Sequence, residues 1–141
     1  SGEFEIRINT RQLLDGVMEA ADVRDPAARQ AVLRALDKLD KFGPEGVTRL
    51  LGEGRLDESG DFTPGAGLRA AQIDRLLAFA SARGSTRAAT LDALAASAGG
   101  GATGQAGLEE LAAIDAVLAA LGVSDDAAVF DPSIVRGLEY Y

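Results

Sequence analysis

The sequence predicts a mainly α-helical domain of about six helices, closed at each end by a short strand. Three observations predict it. Through the middle of the chain apolar residues recur every three or four positions, the period of helices with one buried face. Alanine and glycine are abundant while aromatic residues make up only 5%, a balance that suits helices packed through small side chains better than a β-sandwich. Alternation with period two is confined to the ends.

At the N-terminal end Phe4, Ile6 and Ile8 alternate with Glu5, Arg7 and Asn9, the pattern of a strand with one face buried. Thr10 has the place of an N-cap, and Leu13, Leu14, Val17 and Met18 predict a helix over 11–21 with Gly16 inside it. Asp25-Pro26 is a strong helix start, and Val32, Leu36 and Leu39 carry that helix to Phe42-Gly43. Gly43-Pro44 interrupts the chain, and Val47, Leu50 and Leu51 predict a short helix over 45–52. Residues 54–67 show no periodicity and read as a loop. Leu68, Ile73, Leu76, Leu77 and Phe79 predict a helix over 68–82 that is buried on more than one side. A weaker helix follows over 86–97. The glycine-rich run 99–107 reads as a flexible, poorly ordered connector. Leu111, Ile114, Leu118 and Leu121 line one face of a last helix, 108–121, which Gly122 stops. Residues 127–130 and 133–141 read as extended, with Asp131-Pro132 between them.

Composition narrows the chemistry. At 141 residues the chain is one ordinary domain in size. It has no cysteine and no histidine, so disulfides, thiolate sites and imidazole acid-base chemistry are excluded, and no metal site is expected. Fourteen basic against twenty-two acidic residues give a net charge of −8, which repels nucleic acid at long range and leaves only a local basic stripe for contact. No apolar run is long enough to span a bilayer, and no signal-peptide pattern opens the chain. A soluble, cytoplasmic protein is the expectation, and Ser1-Gly2 resembles a remnant of expression cloning.

Several stretches invite a functional reading. Gly99 to Gly104 is a poor phosphate cradle, because it follows a helix and no Gly-Lys-Ser/Thr closes it. Asp57, Ser59 and Asp61 have the first spacings of a calcium loop, but Phe62 replaces the turn glycine and Leu68 the bidentate glutamate. Arg34, Lys38 and Lys41, at i, i+4 and i+7, form a cationic stripe opposite an apolar face. It suits phosphate contact, or a solvated face paired with Asp37 and Asp40. Arg83 and Arg87, flanking a helix break, carry the same two readings. Arg136 stands in a strand-like run before Gly137 and near Tyr140 and Tyr141. A fixed guanidinium there suits a phosphate or carboxylate, next to an aromatic ring.

Ile134-Val135-Arg136-Gly137-Leu138-Glu139-Tyr140-Tyr141 resembles the family-specific element that follows the helical insertion domain of histidyl-tRNA synthetases. Ile6 to Gly16 resembles the strand-helix entry to that insertion. Leu36-Asp37-Lys38-Leu39-Asp40-Lys41, with Gly43 and Glu45, resembles the next helix in the eukaryote-like branch of the family. The three matches span nearly the whole chain. The resemblance implies a class II synthetase that ligates histidine to tRNA with ATP and Mg, working as a homodimer. It divides the chain into a core strand at 3–9, a helical insertion at 10–122 and return strands of the core's antiparallel sheet at 127–141. It assigns Arg136 to a phosphate in adenylate formation and Tyr141 and the adjoining Tyr140 to the histidine pocket, and it brings the insertion to the acceptor arm of tRNA, which favours phosphate contact by Arg34, Lys38 and Lys41 without deciding it.

The departures are Glu139, where aspartate is more usual, and the lack of the Thr-Gly continuation and of the three class II signature motifs. The chain is therefore expected to be part of a larger enzyme, holding no cofactor of its own and inactive alone. Two other readings stand beside this one: the synthetase-like regulatory subunit of ATP phosphoribosyltransferase, and a helical protein-interaction module.

Overall fold

A computed structural model describes residues 5–134. Phe4 and the extended run beyond Ile134 lie outside them. The elements follow in the order β1 (Ile6–Ile8), α1 (Arg11–Ala20), α2 (Pro26–Leu36), α3 (Leu39–Leu51), β2 (Gly54–Leu56), β3 (Phe62–Pro64), α4 (Ala70–Ala80), α5 (Arg87–Ala98), α6 (Ala102–Ala120) and β4 (Ala128–Phe130). Six helices with a few short strands make the chain mainly α, as the periodicity predicts.

Local chemistry explains half of the helix starts. Asp25 caps α2 by accepting a hydrogen bond from the Ala28 N–H, with Pro26 at the first helical position. Thr86 caps α5 through the Ala89 N–H. Thr10 occupies the cap position of α1, yet its hydroxyl donates to Glu110 of α6 instead of capping. The Gln72 side chain accepts from the Arg69 N–H and donates to the Ala21 carbonyl, which ties the start of α4 to the end of α1.

The core is built where these faces meet. Leu13, Leu14, Val17 and Met18 of α1 are fully buried, among Leu36, Leu51, Leu76, Phe79, Leu94 and Leu111. Burying each such side chain is worth on the order of 1.5–3 kcal/mol, so this shared interior outweighs any single cap. Phe130 of β4 reaches the same core. β1 and β4 pair side by side, Ile6 with Ala128, Arg7 with Val129 and Ile8 with Phe130, so the two ends of the described chain meet at one place. The pair is parallel, whereas the resemblance implied strands of an antiparallel sheet; the long helical crossover between them permits parallel pairing. Ile6 remains 53% exposed, so the alternation at the N-terminus marks a strand without a fully buried face.

Four expectations change. The helix begun at Pro26 ends at Leu36, and a turn at Asp37-Lys38 leads into α3. Gly43, at φ 70° and ψ 177°, breaks α3 internally just before Pro44, where the sequence predicts an interruption. The loop at 54–67 holds a β-hairpin, β2 against β3, closed by an Asx turn in which Asp57 accepts from the Ser59 and Asp61 N–H groups.

The glycine-rich connector is the third correction. Ala102 already belongs to α6, and Gly104 and Gly107 lie buried in its first turns. A Cβ on Gly16 would collide with the Gly104 backbone, and one on Gly107 would come 2.8 Å from the Leu13 N. The glycines are there because two helix backbones touch, not because the chain is loose. Lastly, the apolar face of α6 is buried only as far as Leu111; Leu121 is 73% exposed. A helix of nineteen residues, about 28 Å long, overhangs a partner, α1, of ten.

Candidate nucleic-acid interface

The stripe predicted on one helix is delivered by three pieces of chain. Arg34 projects from α2, Lys38 from the turn after it and Lys41 from the first turn of α3, and all three are exposed. Among the described residues none of the three forms an ion pair. Arg34 and Lys38 share the wall of a depression of about 130 Å³ with Thr63 and Pro64 of β3. Lys41 lies over the Phe42 ring, 5.2 Å from its centroid.

The hairpin supplies a cation that the periodicity could not place. Arg55 of β2 pairs in register with Thr63, and its guanidinium lies 3.9 Å from the Phe42 centroid. Stacking of this kind is worth about 0.5–1 kcal/mol at a partly exposed site and fixes the guanidinium plane. Arg34, Lys38, Lys41 and Arg55 thus border one continuous surface around Phe42 and β3. The Asp-Glu-Ser-Gly sequence at 57–60, flanked by Arg55-Leu56 and Phe62-Thr63, was the available signal for the hairpin. Its turn carboxylate, Asp57, is held below the usual range by the Ser59 hydroxyl and the Asp61 N–H.

A second region lies where the chain runs toward Arg136. Arg7 donates to the Asp131 carboxylate at 3.2 Å, and Asn9 donates to the Ile134 carbonyl at 2.8 Å. Together they fix residues 131–134 beside β1. A cavity of about 260 Å³ opens there between Arg7, Leu36, Asp37, Asp40, Ser133 and Ile134. Hydrogen bonding to Glu5, with the Asp131 charge adding to it, raises the Arg7 pKa further above its usual value. Arg136, Tyr140 and Tyr141 lie outside the described residues.

Arg87 resolves as a strut. It is 3% exposed and donates to the carbonyls of Val123, Ser124 and Ala128, while its Nε meets Asp115 at 2.7 Å. Four of its five guanidinium N–H donors are thus committed to partners within the chain. Arg83, half-exposed, reaches Asp131 at 3.9 Å. Asp57, Ser59 and Asp61 satisfy one another within the turn. Among the described residues no group of three or more acidic side chains is placed to hold a metal ion. No described helix is long and apolar enough to cross a membrane.

Comparison with known proteins finds histidine–tRNA ligases. The chain is 56% identical over 142 residues to a histidine–tRNA ligase of Caulobacter vibrioides, covering 99% of the chain and 28% of that protein. It is 52% identical over 143 residues to the histidine–tRNA ligase of Brucella ovis and 50% identical to that of Methylocella silvestris, with the same coverage. The chain thus spans little more than a quarter of the length of the curated relatives it matches. No family profile and no solved structure matches it.

Proposed function

We propose that this chain serves as the helical insertion of a histidine–tRNA ligase, with the flanking strands that join the insertion to the catalytic core. The carrying observation is the identity of 50–56% to such ligases over 99% of the chain. The pairing of β1 with β4 supports it physically, because a helical excursion whose two ends meet on adjacent strands can be inserted into a larger sheet without disturbing it. On this reading residues 3–9 and 127–141 belong to the core and 10–122 form the insertion.

The whole enzyme would ligate histidine to tRNA as a homodimer, with ATP supplying the phosphate that activates the amino acid. Arg136 would neutralise charge on that phosphate. Tyr140 and Tyr141 would line the histidine pocket. Arg7 and Asn9, which hold residues 131–134, would position the segment that carries them. The ATP and magnesium sites would be supplied by other parts of the enzyme, so the chain alone would not aminoacylate.

The insertion would meet the acceptor arm of tRNA through Arg34, Lys38 and Lys41, whose charges have no ion-pair partner among the described residues. Reversing all three to glutamate in the full-length enzyme should weaken tRNA binding and flatten its salt dependence, while histidine-dependent ATP–pyrophosphate exchange keeps its rate. Unchanged tRNA affinity would remove the stripe from the interface.

A further inference from the structure

We infer that Arg55, carried by the β2–β3 hairpin, is a further RNA-binding residue: a fourth phosphate contact of the basic surface, which Phe42 holds in position. The inference rests on the reading of Arg34, Lys38 and Lys41 as facing RNA. Its independent support is geometric. Arg55 is remote in sequence from the stripe, yet its cross-strand partner Thr63 lines the same depression as Arg34 and Lys38. Its guanidinium lies 3.9 Å from the centroid of the Phe42 ring, the ring that Lys41 also overlies. Phe42 therefore joins two cations from different elements into one site.

The charge is available. Among the described residues Arg55 forms no ion pair, and the attraction between it and Asp57 is the weakest influence on that carboxyl. The mode of contact follows as well. Because cations engage Phe42, the ring is committed to positioning them, and the surface offers guanidinium and ammonium donors beside the Thr63 hydroxyl. Such donors bind phosphate oxygens well, and the deep, narrow major groove of an A-form duplex keeps base edges out of their reach, so the RNA should be held by its backbone. Arg55 touches phosphate; Phe42 is a positioning residue.

Binding of the full chain to a synthetic RNA duplex, followed by fluorescence anisotropy over a range of salt, tests this. Arg55→Ala should weaken binding about threefold to tenfold and lower the slope of log K against log salt by about one. Arg55→Lys keeps the charge, so it should keep the slope while losing about threefold in affinity with the planar stack. Phe42→Leu should likewise leave the slope unchanged and weaken binding by about threefold. Two duplexes of different sequence should bind alike. If Arg55→Lys lost slope as Arg55→Ala does, or if Arg55→Ala left affinity and slope unchanged while the Arg34, Lys38, Lys41 reversal weakened binding, the role of Arg55 would be overturned and the stripe would stand. A triple reversal without effect would overturn both.

Discussion

The seam between α1 and α6 and the surface formed by α2, α3 and the hairpin are built on opposite terms. At the seam a Cβ on Gly16 of α1 would run into the Gly104 backbone of α6, and one on Gly104 would run into the Ala98 carbonyl at the end of α5. At the surface Arg34, Lys38 and Lys41 stand in solvent, and the first two border a depression walled on another side by Thr63 and Pro64 of β3. Backbone contact tolerates no added atom, whereas solvated cations tolerate replacement without cost to the fold. Stability and recognition are thus carried by different residues. A substitution can be assigned to one or the other by whether it moves the unfolding midpoint or the affinity.

The largest effect should come from the seam. A valine at position 104 would drive its side chain into the Ala98 carbonyl and the Gly16 backbone. Overpacking usually costs about 1–3 kcal/mol, and here the obstacle is backbone that cannot rotate away, so a loss of about 3 kcal/mol or more is expected in urea unfolding of Gly104→Val. Lys38→Ala, on the other side of the comparison, should stay within about 0.5 kcal/mol of the parent. Equal midpoints for the two variants would show that the start of α6 does not pack against the end of α5 in solution.

Next in size is Arg87, which belongs to the seam side although its charge suggests the surface. Methionine in its place would leave the carbonyls of Val123, Ser124 and Ala128 without their buried donor and Asp115 without its cation. The expected loss is about 3 kcal/mol, the scale of breaking a buried, hydrogen-bonded charge. Because these carbonyls belong to the link from α6 into β4, hydrogen exchange should quicken first at the Ile6 and Asp131 amides, which bond across the strand pair. Arg87→Met with unchanged exchange at both amides would detach the strut from β4.

How much of this was legible follows from what each signal encodes. Helix periodicity marks which face is apolar, and it located α1, α4, α5 and the start of α2 to within a few residues because each buries one stripe in the shared core. It does not record what a glycine faces. Gly104 and Gly107 read as a linker since flexibility and close packing both call for the same absent side chain, and only the position of α1 decides between them. The hairpin was missed because its strands have three residues each, too few to show alternation. With it went Arg55, whose place beside the stripe depends on strand register. Arg34, Lys38 and Lys41 were visible from spacing alone, although the helix assumed to carry them is broken after Leu36. Arg136, Tyr140 and Tyr141 rest on the motif that names them.

The smallest effect concerns pH and gives the comparison its sharpest form, because the two regions should respond in opposite directions. Burial pushes up the carboxyl of Asp15, on α1, against the pull of Arg11 and Arg29. The folded chain then binds this proton more tightly than the unfolded chain. Ionised Asp15 costs stability near neutrality, and the cost is relieved as pH falls through the raised folded value toward the ordinary one. Asp57, in the hairpin turn, is held low by the Ser59 hydroxyl and the Asp61 N–H. Its contribution is present above the ordinary carboxylate value and is lost as pH falls through the lowered folded one. Urea midpoints measured from neutrality into the acid range should therefore show the parent gaining on Asp15→Asn as pH drops, and losing its advantage over Asp57→Asn. Parallel curves for the parent and Asp15→Asn would mean that Asp15 is solvated and that the α1 side of the seam opens to water.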